Sequence, residues 1–272
     1  MSNEQPLPTL SSPLSPWHPT LILTAIGFLT RITMPKWVGF SPQDVAHSTR
    51  WFSLVGVIVG IVLALFLWLL TPLFGQAIAA VLTLIVGWRL TGAFHEDGLA
   101  DLCDGFGGSW QRQRKLDIMK DSQIGTYGVL AVVGSVILKL LVLTQLPINL
   151  AVMGLICSHA GARACVGCVP AYLSYARVDQ PSKTPQSQLP PSKAVLATLI
   201  GIACLPLFLL PFTVSIIVCF SWLSSCYFML RLMKQHIQGY TGDTLGATEQ
   251  VVEIMTLLTL VLINNIGVYS HV

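Results

Sequence analysis

The chain has 272 residues, of which 53% are hydrophobic and only 10% are charged, with a mean hydropathy of +0.71. A soluble domain carries about 25% charged residues and needs them to cover its surface, so this composition excludes a water-soluble globule and points to an integral membrane protein. The formal charge of +3 is too small to argue for nucleic acid as a partner.

Residues 1–19 are rich in Pro, Ser and Leu and have neither the basic start nor the long apolar stretch of a signal peptide. They read as a disordered leader ahead of one membrane-embedded domain, 20–272. Residues 20–34 are apolar but too short to span, which predicts a segment that lies at the interface or re-enters the membrane. Apolar runs of about spanning length follow at 51–71, 75–94, 126–146, 149–170, 194–211, 212–232 and 250–270. The expected fold is all-α, a polytopic integral membrane helix bundle of about seven transmembrane helices. In the first run, Gly56 and Gly60 form a G-x-x-x-G pair, a signal for close helix contact. Cys165 and Cys168 form a C-x-x-C inside an apolar run with no second pair, so they read as small packing residues rather than as a zinc or redox site.

Three long polar segments, 95–124, 171–193 and 233–249, alternate with very short links. Seven spans put the long segments and the N-terminal region on one face. That face or its rim carries Arg31, Lys36, Arg50, Arg112, Arg114, Lys115, Lys120, Arg177, Lys183, Lys193, Arg231 and Lys234, and the opposite links carry no Lys or Arg. The positive-inside rule makes this face cytoplasmic.

The scarce acidic charge gathers in FHEDGLADLCDGFGGSW, residues 94–110. Asp97, Asp101 and Asp104 are spaced i, i+4, i+7 and fall within an arc of about 60° on a helix. Carboxylates crowded on one face near lipid repel one another and resist desolvation. A divalent cation relieves both, and hard oxygen donors suit Mg²⁺ or Mn²⁺. The plainer reading is a solvated acidic helix start; the glycines at 98, 105, 107 and 108 favour a ligand's close approach instead. The next segment, RQRKLDIMKDSQIGTYG, offers Asp121 as a fourth carboxylate. Arg112, Arg114, Lys115 and Lys120 either hold phosphate oxygens or simply mark the cytoplasmic side. Ser122 to Gly128 opens the third span, and a helix N-terminus there is a ready anion site.

A third polar motif, GYTGDTLGATEQVVE at 239–253, brings Thr241, Thr244 and Asp243, with Glu249 and Glu253 one turn apart at the start of the last span. It reads as a turn and cap, but Glu253 stands about a turn inside an apolar helix, where an ionisable group is a functional candidate. Arg89, Lys139, His159 and Arg163 also lie within spans. The first two can snorkel; His159 and Arg163 share a helix face, which suits either an anionic ligand or a carboxylate between helices. An acidic segment, basic residues and glycine turns on one membrane face suggest phosphoryl-type transfer, in which metal and cations neutralise oxyanions. No G-x-S-x-G, Walker or H-E-x-x-H motif is present.

At these residues the sequence resembles the cobalamin synthase family, the adenosylcobinamide-GDP ribazoletransferases. The resemblance runs through H-x-D-G-x-x-D-x-x-D (His95, Asp97, Gly98, Asp101, Asp104), I-M-K-D-S-x-x-G-T-x-G (Ile118 to Gly128) and G-Y-T-G-D-x-L-G-A (Gly239 to Ala247), followed by Glu253. Thr30 to Ile32 with Pro35, and Tyr175-Ala176-Arg177, also fit. The matches are co-linear from about 25 to 270. Ser53 stands where the family carries proline, and the leader is longer than usual.

The resemblance implies two substrates, adenosylcobinamide-GDP and α-ribazole or its 5′-phosphate. The second attacks the phosphorus attached to the corrinoid side chain, and GMP leaves. It implies Mg²⁺ as cofactor. The expected location is a bacterial inner membrane, where packed helices could support a homo-oligomer and an assembly with other cobalamin-pathway enzymes could hold the corrinoid intermediates. It also implies roles: Asp97, Asp101 and Asp104 as metal ligands, His95 as an orienting group or base, and Lys120 and Arg114 as supports for the leaving GMP. Asp121, Arg163, Thr241, Asp243 and Glu253 would complete the substrate site. CDP-alcohol phosphotransferases share an Asp-Gly start, but Asp101 and Leu102 stand where their Ala-Arg would be. Transport would put the charges along a mid-bilayer path, whereas most here lie on one face.

Overall fold

A computed structural model describes residues 18–177 and 190–267; among these the chain is helical, with one isolated bridge between Tyr175 and Tyr240. Most of the predicted leader, and Lys183, lie outside the described residues.

Among the described residues, five helices are long and apolar enough to cross a membrane. They are α3 (Phe52–Phe74), α7 (Thr126–Gln145), α8 (Ile148–Cys168), α10 (Phe212–Ile237) and α11 (Gly242–Asn265). Two further expected spans are shorter: α4 (Gln76–Thr91) and α9 (Lys193–Cys204). The α9 run stops early because Pro206 cannot continue an α-helix, and residues 205–209 tighten into a 3-10 turn. The short N-terminal apolar segment forms α1 (Thr20–Leu29), too short to span, followed by the small α2 (Pro42–Ser48). Among the described residues the span candidates number five, or six if the bent pair of α4 and the helix after it is one span, beside the approximate seven expected.

The run 75–94 ends in a sharp break. Gly92 and Ala93 both take left-handed backbone, φ 79° and 55°, and the chain turns by 89° into α5 (Phe94–Gly108). Any Cβ at Gly92 would strike the Arg31 side chain, and the Arg31 N–H donates to the Leu90 carbonyl at 2.7 Å. The acidic motif is thus carried on a helix lying across the end of the span. A short helix, α6 (Arg112–Ile118), follows it.

Lipid gives no hydrophobic drive for one helix to pack on another, so close backbone approach must supply the contact. Gly60 shows this: a Cβ there would lie 2.6 Å from the Ile156 Cα of α8, and one at Gly56 would overlap the His159 carbonyl. The G-x-x-x-G pair is the seam between α3 and α8. Ser53 sits in the first turn of α3, where a proline is accommodated because that N–H needs no intrahelical acceptor. All seven cysteines are free. Cys165 is buried in α8, and its Sγ lies 3.6 Å from the Trp222 carbonyl.

Candidate active site

The three long polar segments converge on one cavity of about 420 Å³. Its polar wall combines Asp97 and Asp101 from α5, Lys120, Asp121 and Ser122 from the link before α7, Arg177 from the link after α8, and Asp243 from α11. His95 also lines it.

Two glycines bring the carboxylates together. A Cβ at Gly98 of α5 would lie 2.6 Å from the Asp243 carbonyl and 3.2 Å from the Gly246 Cα. One at Gly246 of α11 would lie 3.2 Å from the His95 Cα. Backbone meets backbone, so Asp97 and Asp101 on α5 face Asp243 at the start of α11.

Asp243 is held by two donors. Arg177 Nη2 donates to its Oδ2 at 3.1 Å, and the Thr241 hydroxyl donates to the same oxygen at 3.2 Å. The start of α11 is fixed by a capping box between Thr241 and Thr244. Arg177 itself is placed by the Tyr175–Tyr240 bridge. The Tyr240 N–H donates to the Ser174 carbonyl at 3.0 Å, and the Ala176 N–H to the Tyr240 carbonyl at 2.8 Å.

Burial, with Asp243, Asp97 and Asp104 nearby, pushes the Asp101 carboxyl up to about 7, against a smaller opposing pull from Arg177. Arg177 only partly balances the acidic neighbours of Asp101. Asp97, Asp101 and Asp243 bring hard oxygen donors to one cavity, the chemistry a small divalent cation takes, but their oxygens do not all lie within 4.8 Å of one another.

Asp104 is placed elsewhere. It is 8% exposed and does not line the cavity. The N–H groups of Gly125 and Gly128 donate to its two oxygens at 2.7 and 2.9 Å. The anion at the N-terminus of α7, where the sequence suggested a ligand's phosphate, is the protein's own carboxylate. Glycine is required there, since a Cβ at Gly125 would lie 2.5 Å from Asp104 Oδ1.

Arg114 is exposed on α6 and does not reach the cavity wall. Arg163 and Glu253 are also absent from that wall. They belong to a buried polar network deeper in the bundle, around a second cavity of about 20 Å³ that His95 also borders. Arg163 Nη1 donates to Glu249 Oε1 at 2.9 Å, and Lys139 Nζ donates to Glu253 Oε2 and Gln250 Oε1, both at 2.9 Å. Gln250 Nε2 links to Glu249 at 3.0 Å, and His95 Nδ1 lies 3.6 Å from the same carboxylate. Buried charges need such partners, and these answer the question posed by His159 and Arg163: the partner is a carboxylate. Lys139 pairs rather than snorkels. His159, Glu249 and Glu253 place donor atoms within 4.8 Å of one another and could hold a metal ion, although Lys139 and Arg163 already supply two positive charges to the two carboxylates.

Sequence reasoning missed Arg177 and Ser122 as wall residues, and Glu249 as the hub of the network. The Tyr-Ala-Arg match marked Arg177's segment, but nothing local ties position 177 to position 243.

The family model for cobalamin-5-phosphate synthase matches residues 21–261. An adenosylcobinamide-GDP ribazoletransferase of Shewanella amazonensis is 37% identical over 247 residues, 89% of this chain and 95% of that one. A protein of the same description from Shewanella baltica is 36% identical over 255 residues, 92% and 97% of the two chains. One from Shewanella oneidensis is 35% identical over 266 residues. No solved structure matches. With the match running through both the acidic helix and the glycine-rich start of α11, the chain belongs to the cobalamin-5-phosphate synthase family.

Proposed function

We propose that the chain transfers α-ribazole, or its 5′-phosphate, to adenosylcobinamide-GDP with release of GMP, the last step in assembling the nucleotide loop of cobalamin. The observation that carries the chemistry is the convergence of Asp97, Asp101 and Asp243 with Lys120 and Arg177 on one cavity. That arrangement suits a pyrophosphate, whose charge needs both a metal and fixed cations.

In this reading Asp97, Asp101 and Asp243 would hold Mg²⁺, which would neutralise the charge on the pyrophosphate oxygens. Lys120 holds the oxygens of the departing GMP, with Asp121 beside it. Arg177 fixes Asp243 and adds positive charge at the same wall. An acceptor oxygen of α-ribazole attacks the phosphorus attached to the corrinoid side chain. The bond from that phosphorus to the GMP oxygen breaks, and GMP leaves with the bonding pair. His95, at the cavity floor, orients a carboxylate, or takes the proton when the acceptor oxygen is a hydroxyl. Asp104 acts at one remove, locking α5 to the start of α7. Thr241 acts likewise on Asp243, and Arg163 and Glu253 set the position of His95 through Glu249.

The cavity is lined by Lys120 and Arg177, which come from the polar segments rich in basic residues, and on that ground we put it at the cytoplasmic side of a bacterial inner membrane. The CDP-alcohol phosphotransferase reading has no comparable support. The test is conversion of adenosylcobinamide-GDP and α-ribazole phosphate by the detergent-purified protein, with GMP and corrinoid product followed together.

A further inference from the structure

The cavity wall also has an apolar part. Phe28 and Leu29 of α1, Phe52 of α3 and Phe94 of α5 contribute to its lining. Phe28 stacks on Phe52 with ring centroids 5.8 Å apart and planes 18° apart. Phe94, the first residue of the acidic helix, is 36% exposed and lies only three residues from Asp97. None of these four side chains carries a hydrogen-bond donor or acceptor.

We propose that this wall is the seat of the acceptor's aromatic base, the benzimidazole-type ring of α-ribazole, and so sets which acceptor nucleosides are used. This rests on the transferase reading above. Three aromatic groups belong to the reaction: the corrinoid macrocycle, guanine and the ribazole base. A cavity of about 420 Å³ is at the small end of ligand pockets and takes a nucleoside-sized group, not a tetrapyrrole-sized ring with its amide fringe. Guanine has a polar edge that would lose its hydrogen bonds against phenylalanine and leucine, at a cost in binding. The benzimidazole of α-ribazole keeps one ring nitrogen as an acceptor and otherwise presents ring faces and carbon-bound hydrogens, so an apolar surround costs it less than it costs guanine. The geometry also suits the chemistry. A base seated on Phe94 and Phe28 directs its ribose toward the carboxylate wall, where the pyrophosphate must lie for in-line attack.

The experiment compares wild type with Phe94→Ala and Phe28→Ala in detergent, varying each substrate in turn. The expected result is a KM for α-ribazole phosphate raised about tenfold, with the KM for adenosylcobinamide-GDP within about twofold of wild type. Phe94→Leu keeps apolar volume and guards against a variant that fails to fold; it should show a smaller rise of the same kind. Calorimetric binding of α-ribazole to the protein without corrinoid should weaken in parallel. A rise confined to adenosylcobinamide-GDP would overturn the proposal and give the wall to guanine or the corrinoid. Unchanged KM values for both substrates in active, folded variants would also overturn it. A wild-type protein that makes no joined product contradicts the transferase reading itself, a distinct outcome from active variants with unaltered acceptor affinity.

Discussion

Gly98 and Asp243, 145 positions apart in sequence, meet backbone to backbone: a Cβ on Gly98 would stand 2.6 Å from the Asp243 carbonyl oxygen. This contact sets the distance between the acidic helix and the start of α11. Gly98→Ala must therefore push α5 away from α11, because the atom it meets is main chain and cannot rotate aside. Overpacking of this kind costs about 1–3 kcal/mol, and a shift of about 1 Å in a positioned site can cost about 10²-fold in rate. Turnover of Gly98→Ala in detergent should fall by that order while the protein still folds.

The aspartates should separate into two classes. Asp97→Asn and Asp101→Asn remove charge from the cavity wall; kcat should fall about 10²–10³-fold, and the Mg²⁺ concentration for half-maximal residual activity should rise. Asp104→Asn replaces an acceptor of two backbone N–H groups with a side chain that can accept only through one oxygen. It should lower stability by about 1–3 kcal/mol and leave the Mg²⁺ midpoint near that of wild type. Mg²⁺ titration of activity together with thermal unfolding distinguishes the two.

Lys120 and Arg114 are six residues apart and both basic, but only Lys120 lines the cavity. Lys120→Ala should raise the KM for adenosylcobinamide-GDP about tenfold, as expected for one charge-assisted contact. Arg114→Ala should stay within about twofold of wild type in both kcat and KM. Equal losses in the two variants would count against this placement of the GMP phosphate.

The acidic helix, the seam at Gly56 and Gly60, and the cap at Thr241 were legible in the sequence because each is local: a helical spacing, a glycine pair, a hydroxyl before a helix. What was not legible depended on the fold in three dimensions. Asp97, Asp101 and Asp104 share a helical arc, yet only Asp104 is taken up by the N–H groups at the start of α7. The pairing of Arg177 with Asp243 depends on a two-residue bridge that has no propensity signature. The bend at Gly92-Ala93 shortened the second span because left-handed backbone at an alanine is a tertiary effect.

The pair of Lys139 and Glu253, 2.9 Å apart and almost wholly buried, gives a stability prediction. Glu253→Leu strands a buried ammonium and should cost about 3–5 kcal/mol. Adding Lys139→Met should restore most of that loss, because two apolar side chains in a buried site do not need each other. Thermal unfolding of the single and double variants in one detergent measures the difference.

The most direct test of the account is a single assay on the purified protein. Adenosylcobinamide-GDP and α-ribazole phosphate are supplied with and without Mg²⁺, and GMP and the corrinoid product are measured together. The account predicts Mg²⁺-dependent release of GMP matched one for one by joined cobalamin phosphate, with both reduced about 10²-fold or more in Asp97→Asn. GMP release without a joined product, or full activity of Asp97→Asn at limiting Mg²⁺, would contradict it.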